Sequence, residues 1–176
     1  MIFLSFALGV ILWTLIEYLL HRFLGHVHKG RNFFKAEHIQ HHAKFEYFAP
    51  ANKKAISALI GFLFFLLIGI VFIPIFFVIA FLVGFFAMYA LYETTHFRFH
   101  AKNPIAYPFV ILRKHHFYHH FHNPKTNFGV TSRFWDRVFG TFKKPEKVRI
   151  PQKMAMTWLL EENHIKEIYS LDFYIA

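Results

Sequence analysis

Every charged side chain of this sequence falls outside two apolar stretches, residues 1–16 and 55–92. The first 20 residues, MIFLSFALGVILWTLIEYLL, are long enough to cross a hydrocarbon core of about 30 Å. They lack the basic leader and small-residue cleavage site of a signal peptide, so a retained membrane helix is expected. The second stretch would span about 57 Å as one straight helix, far more than one bilayer. Pro74 sits near its middle, in GIVFIPIFF, where it removes a backbone donor and disrupts the helix before it. The pattern predicts a hairpin of two membrane helices, about 56–72 and 75–92. A single kinked, steeply tilted helix is the alternative.

Three crossings put residues 21–54 and everything from Glu93 onward on one side of the membrane. The first of these segments holds seven Lys/Arg and two acidic residues, the second thirteen and seven, and the hairpin tip holds none. The positive-inside rule then places both segments in the cytoplasm. Basic segments facing anionic lipid account for the net charge of +10 without nucleic acid, and no nucleic-acid-binding motif is present. The absence of cysteine excludes disulfides, iron–sulfur clusters, thiolate haem and cysteine-type zinc sites. Any metal must be held by His, Asp or Glu. The expected fold class is all-α: one membrane-embedded helical bundle over residues 1–176, with cytosolic histidine-rich helices forming a dinuclear metal site from segments 21–54 and 93–142. The tail, 143–176, could form an amphipathic helix on the membrane or a packed terminal helix.

Thirteen of the 14 histidines lie between residues 21 and 122, and none is inside an apolar run. They group as HRFLGH (His21, His26), HIQHH (His38, His41, His42), HFRFH (His96, His100) and HHFYHH (His115, His116, His119, His120). Residues three and four apart share a helix face, so each HxxHH set can aim its imidazoles at one point, as can His96 and His100. His21 and His26 are about 140° apart on an ideal helix; Gly25 could end the helix and let His26 fold back. Convergent neutral imidazoles suit iron, zinc, copper or nickel. Ten suitably spaced histidines imply two metals with about five imidazoles each. His28, His122 and His164 read as ordinary interfacial or surface side chains.

Glu17 interrupts the first membrane helix four residues before His21, and Glu93 ends the third three residues before His96. Carboxylates in membrane segments are expensive and usually functional. Both are expected to accept hydrogen bonds that orient histidine ligands, or else to snorkel to the interface.

In their order, LLHRFLGH, HIQHHAKF, THFRFH, HHFYHH and NFGVTSRFWDRVFGT resemble the motifs of the fatty acid hydroxylase/sterol desaturase superfamily. LWTLIEYLLHRFLGH and the closing element look most like its fatty acid 2-hydroxylase branch, and the likeness covers about residues 10–142. It implies an integral membrane lipid hydroxylase with two iron ions, for which zinc can substitute on purification, and with dioxygen as co-substrate. By motif position the metal ligands would be His21, His26, His38, His41, His42, His96, His100, His116, His119 and His120. His115 would be a further ligand or a group supporting one. Eukaryotic members of that branch carry an N-terminal cytochrome b5-like domain and an earlier membrane segment, neither of which is seen here. A separate cytochrome b5-like or ferredoxin-like electron donor is therefore expected.

The substrate expected is a membrane lipid of fatty acyl type. A carotenoid or sterol-like lipid is the alternative, and a membrane metal-binding or transport protein is the reading from another class. The lipid would enter between the first and third helices, past Phe23, Phe97, Phe99 and Phe117. In TSRFWDRVFG, Thr131 or Ser132 can cap a short helix and Gly140 can end it, making a lid beside the metal helices or a plain structural helix.

Overall fold

The computed structural model describes residues 1–101 and 109–176. Helix α1 (Ile2–Leu19) continues into a π-helical segment (Leu20–Val27), followed by α2 (Phe33–Ala43), α3 (Ala51–Phe72), α4 (Ile75–Ala101), α5 (Phe109–Phe121) and the short α6 (Phe134–Val138). The protein is mostly helical, as its hydropathy implies. Three helices, Ile2–Val27, Ala51–Phe72 and Ile75–Ala101, are long and apolar enough to cross a membrane.

The break between α3 and α4 falls at Ile73, whose φ of −136° and ψ of 138° are extended. A residue before proline is pushed out of the helical region by the pyrrolidine ring, and Pro74 then opens α4. The hairpin forms as expected. However, α3 starts earlier than the apolar run, and α4 runs unbroken to Ala101, so His96 and His100 ride on its last turns.

Helices α1 and α4 form the tightest crossing. A Cβ on Gly9 would lie 2.1 Å from the Phe81 carbonyl oxygen, and one on Gly84 would lie 2.1 Å from that of Phe6. Only glycine lets the two backbones meet this closely, the small-residue device of membrane helix packing. By contrast α3 buries no residue at all. Its outer face, including Ile60, Phe64, Val71 and Phe72, is exposed, as suits a lipid-facing helix.

The tail forms no α-helix. Strands β1 (Val148–Ile150) and β4 (Phe173–Ile175) pair in parallel, and β2 (Leu160–Glu161) with β3 (His164–Ile165) forms a tight hairpin. Its turn residues Glu162 and Asn163 have φ of 47° and 66°. Two consecutive left-handed residues match the twist of a two-residue hairpin and break any helix through this point. The tail closes over α5: Val148, Ile150, Met156, Leu159 and Phe173 bury Phe99 and Phe117 in one core.

Candidate metal centre

The first histidine pair is set by the π-helical segment. Its wider turn, with bonds such as His28 N–H to the Phe23 carbonyl at 2.8 Å, brings residues five apart to one side. Gly25 does not end the helix as expected. Instead it admits α2, since a Cβ there would sit 3.0 Å from the His38 ring. Helix α2 is capped by Asn32, whose side chain accepts the Lys35 N–H at 2.7 Å.

The ten histidines form two groups. His21, His26, His38, His42 and His119 make one; His41, His96, His100, His116 and His120 make the other. Within each group, one ring nitrogen per residue lies within 4.8 Å of all the others. Each HxxHH set therefore does not aim at a single point. Helix α2 sends His38 and His42 to the first group and His41 to the second. Helix α5 does the reverse, with His119 in the first and His116 and His120 in the second. Adjacent residues are about 100° apart on a helix, so neighbours such as His41 and His42 diverge toward different centres.

In the first group the Nε2 atoms converge: His21 to His119 at 2.9 Å, His26 to His119 at 3.0 Å, His38 to His26 at 2.8 Å and His42 to His119 at 3.1 Å. Two of these rings are anchored from behind. His21 Nδ1 donates to the Phe128 carbonyl, and His119 Nδ1 donates to that of Thr126 at 2.8 Å. In the neutral ring, donation from Nδ1 leaves a bare lone pair on Nε2. Two lone pairs facing each other at 2.9 Å repel, unless a cation lies between them. In the second group His41 Nδ1 donates to the Tyr47 carbonyl at 2.7 Å. The buried Nε2 atoms of His41 and His96, and both nitrogens of His120, have no hydrogen-bond partner among the described residues. Buried polar atoms are normally satisfied, so a cation fits here too.

Electrostatics agree. Burial, and then the neighbouring imidazoles, hold His38, His116, His119 and His120 well below the usual histidine range. Burial brings His41 down to about 4, and burial with repulsion from His21 and His26 brings His42 to about 2. Neutral imidazole is the metal-binding form.

The acids lie elsewhere than expected. Glu17 makes no bond to His21. Its carboxylate accepts the backbone N–H groups of Val130 (2.5 Å) and Thr131 (3.0 Å) and the Thr131 hydroxyl. The Phe128 carbonyl orients His21 instead. Glu93 pairs with Lys54, at the start of α3, at 2.5 Å, not with His96. His115 joins neither group: its Nε2 donates to Asp136 at 3.0 Å. Thr131 does not cap α6, since its hydroxyl is given to Glu17; Ser132 accepts the Phe134 N–H at 3.1 Å. Gly140, at φ 69°, does end the helix.

Asp136 is the residue that sequence reasoning missed. It is fully buried and accepts the N–H groups of Phe128 (2.9 Å) and Gly129 (2.8 Å), the Thr141 hydroxyl (2.7 Å) and His115. Burial pushes its carboxyl up, but the bond from His115 leads the interactions that hold it below the usual carboxylate range. A signal for this docking was present in α1. Thr14, Glu17, Tyr18 and His21 form a polar stripe at i, i+3, i+4 and i+7 on an apolar helix. All four touch the 126–141 element: Thr14 accepts the Trp135 indole N–H at 2.9 Å, and the Tyr18 hydroxyl lies 2.9 Å from Thr141 Oγ1.

A largely apolar cavity of about 380 Å³ lies among α1, α3 and α4. Its wall includes His21 and His38 of the first group and His41 and His96 of the second, then Trp13, Ser57, Ala58, Gly61, Phe65 and Phe86. Lys53 and Lys54 also line it, ion-paired to Glu37 (2.7 Å) and Glu93. The expected aromatic path differs. Phe23 and Phe97 are exposed, whereas Phe99 and Phe117 are core. The cavity is walled by residues of the first and third membrane helices, such as Trp13 and Phe86, and by α3.

Comparison with known proteins bears on this arrangement. A sequence model of the family described as fatty acid hydroxylase matches residues 6–141. The ceramide very long chain fatty acid hydroxylase SCS7 of Saccharomyces cerevisiae is 35% identical over 80% of this chain and 38% of its own length. The dihydroceramide fatty acyl 2-hydroxylase FAH2 of Arabidopsis thaliana is 34% identical over 77% of this chain and 59% of its own. The fatty acid 2-hydroxylase of Homo sapiens is 33% identical over 81% and 40%. The chain spans between 38% and 62% of the length of the curated relatives it matches. A solved structure of full-length scs7p, in which only the hydroxylase domain is visible, superposes with a TM-score of 0.60 and 33% identity, over 82% of this chain and 57% of that one. With its ordered histidine groups, its three apolar helices and a family match over most of its length, the chain belongs to the fatty acid hydroxylase family.

Proposed function

We propose that the protein is an oxygen-dependent di-iron hydroxylase that inserts one oxygen atom into a C–H bond of a fatty acyl chain in a membrane lipid. One observation carries this reading: an apolar cavity within the membrane helices ends on ligands of both histidine groups. His21, His26, His38, His42 and His119 would hold one iron, and His41, His96, His100, His116 and His120 the other. Bound iron would supply the dioxygen chemistry that no side chain can provide.

The chain's own residues do the rest. The cavity wall of Trp13, Phe65 and Phe86 takes up the acyl chain and keeps water from the reacting carbon. Backbone carbonyls of Phe128, Thr126 and Tyr47 hold three ligand rings in one tautomer. The lysine–carboxylate pairs around Lys53 and Lys54 bring polar groups to the cavity wall, where a lipid's head region can be met. The fatty acyl class is supported by the acyl hydroxylase relatives and by the largely apolar wall of the cavity.

The protein acts as a single multi-pass membrane domain, with its histidine groups on the cytoplasmic side, where its basic segments face anionic lipid. Electrons come from a separate protein. The test is lipid mass spectrometry of cells that express the chain, under isotopically labelled dioxygen. Acyl chains carrying one labelled oxygen are expected. Unchanged lipids in cells holding the metal-loaded protein and a reductase partner would count against the proposal.

A further inference from the structure

Residues 126–131 face both ways. Their carbonyls at Thr126 and Phe128 receive the Nδ1–H groups of His119 and His21. Their N–H groups at Phe128 and Gly129 are held by Asp136, and those at Val130 and Thr131 by Glu17. Four consecutive amides thus end on two buried carboxylates, 4% and 0% exposed. Gly129 is required by this packing, since a Cβ there would stand 1.9 Å from the Ser132 carbonyl oxygen.

The two carboxylates touch no ligand of either group directly. They also serve only one group: the 126–131 loop contacts His21 and His119, both of the first group, whereas His41 of the second is anchored on Tyr47. We infer that Glu17 and Asp136 are positioning residues for one metal and not the other. They fix the loop whose carbonyls select the Nε2-coordinating tautomer of His21 and His119. This rests on the two-metal reading above.

The two acids differ in what they tolerate. Both Asp136 oxygens accept a backbone N–H: Oδ1 from Phe128 and Oδ2 from Gly129. An asparagine must turn its NH₂ toward one of them, donor against donor, and release the loop. Glu17 accepts both N–H groups on Oε1, while Oε2 meets only the Thr131 hydroxyl. A hydroxyl can reverse and accept, so glutamine satisfies every partner and methionine satisfies none.

The experiment is metal analysis of purified protein reloaded with cobalt, with visible absorption and helix content by circular dichroism as parallel readouts. Wild type and Glu17→Gln should hold two metals per chain. Asp136→Asn and Glu17→Met should hold about one, with about half the cobalt absorption and unchanged helix content. Two metals in Asp136→Asn and Glu17→Met would overturn the inference alone, as would equal loss from both sites. Wild-type protein holding fewer than two would overturn the two-metal reading and, with it, this inference.

Discussion

The rings of His42 and His120 lie parallel, 9° apart and 4.1 Å between centroids, although they belong to different histidine groups. The two centres therefore share a wall. Removing either ring opens both sites to rearrangement, beyond the loss of a single ligand.

His120→Ala should abolish product formation and reduce metal content at both sites. His122→Ala should leave metal content at the wild-type value, because His122 is exposed at the end of α5, where its ring meets Tyr118, and joins neither group. Metal analysis of the two variants in parallel checks this. Similar losses in both would mean that proximity to the cluster, and not membership of it, decides.

Gly84→Val should prevent α1 from seating on α4. The added Cβ meets backbone, which has no rotamer by which to move aside. Overpacking typically costs about 1–3 kcal/mol, and a rigid carbonyl neighbour puts this change at the upper end. The thermal midpoint of the detergent-solubilised protein should fall clearly below wild type, while Gly61→Ala, with open space around its Cβ, should match it.

Gly61→Phe should shorten the acyl chains that are hydroxylated. Gly61 lines the cavity between Ala58 and Phe65, and a ring there fills the volume that a longer chain needs. Each methylene of fit is worth about 1–3 kcal/mol in discrimination, so the product distribution should move by a factor of ten or more per pair of carbons. Lipid profiling by chain length reads it directly. An unchanged distribution with normal turnover would place the acyl chain elsewhere.

Trp158→Phe should loosen the tail without removing it. The indole N–H donates to the His100 carbonyl at 2.9 Å, closing an orphan acceptor at the end of α4, and the ring stacks under Arg113 at 4.2 Å. Loss of one such bond costs about 1 kcal/mol. Limited proteolysis should cut the 143–176 segment faster, with both metals retained.

Much of this was legible from residue spacing. Charge-free runs marked the three long helices, and Pro74 marked the break between two of them. The histidine groups found their partners because i, i+3, i+4 spacing is a local property of a helix. What spacing cannot express is which centre each ring faces. That depends on how α2 and α5 cross, and their relative rotation splits HIQHH and HHFYHH in opposite senses. Glu17 was visible as a costly carboxylate, but its partners are backbone amides over 110 residues away. Backbone amides carry no sequence signature. Asp136 was hidden for the same reason: it reads as an ordinary charge in the short helix FWDRV. The tail's apolar residues have helix-compatible spacing, and only the left-handed pair Glu162–Asn163 turns them into a hairpin.

A π-helix is an α-helix carrying one surplus residue in its turn. The segment Leu20–Val27 therefore makes the site sensitive to length as well as to chemistry. Deleting Leu24 would relax the segment into the more stable α form and improve the local hydrogen bonds, yet it would bring His21 and His26 four apart on a chain whose downstream partners are placed for five. Such a deletion would strengthen the helix as a helix and dismantle the centre it serves. Here a weaker local conformation is retained because the tertiary arrangement requires the extra residue.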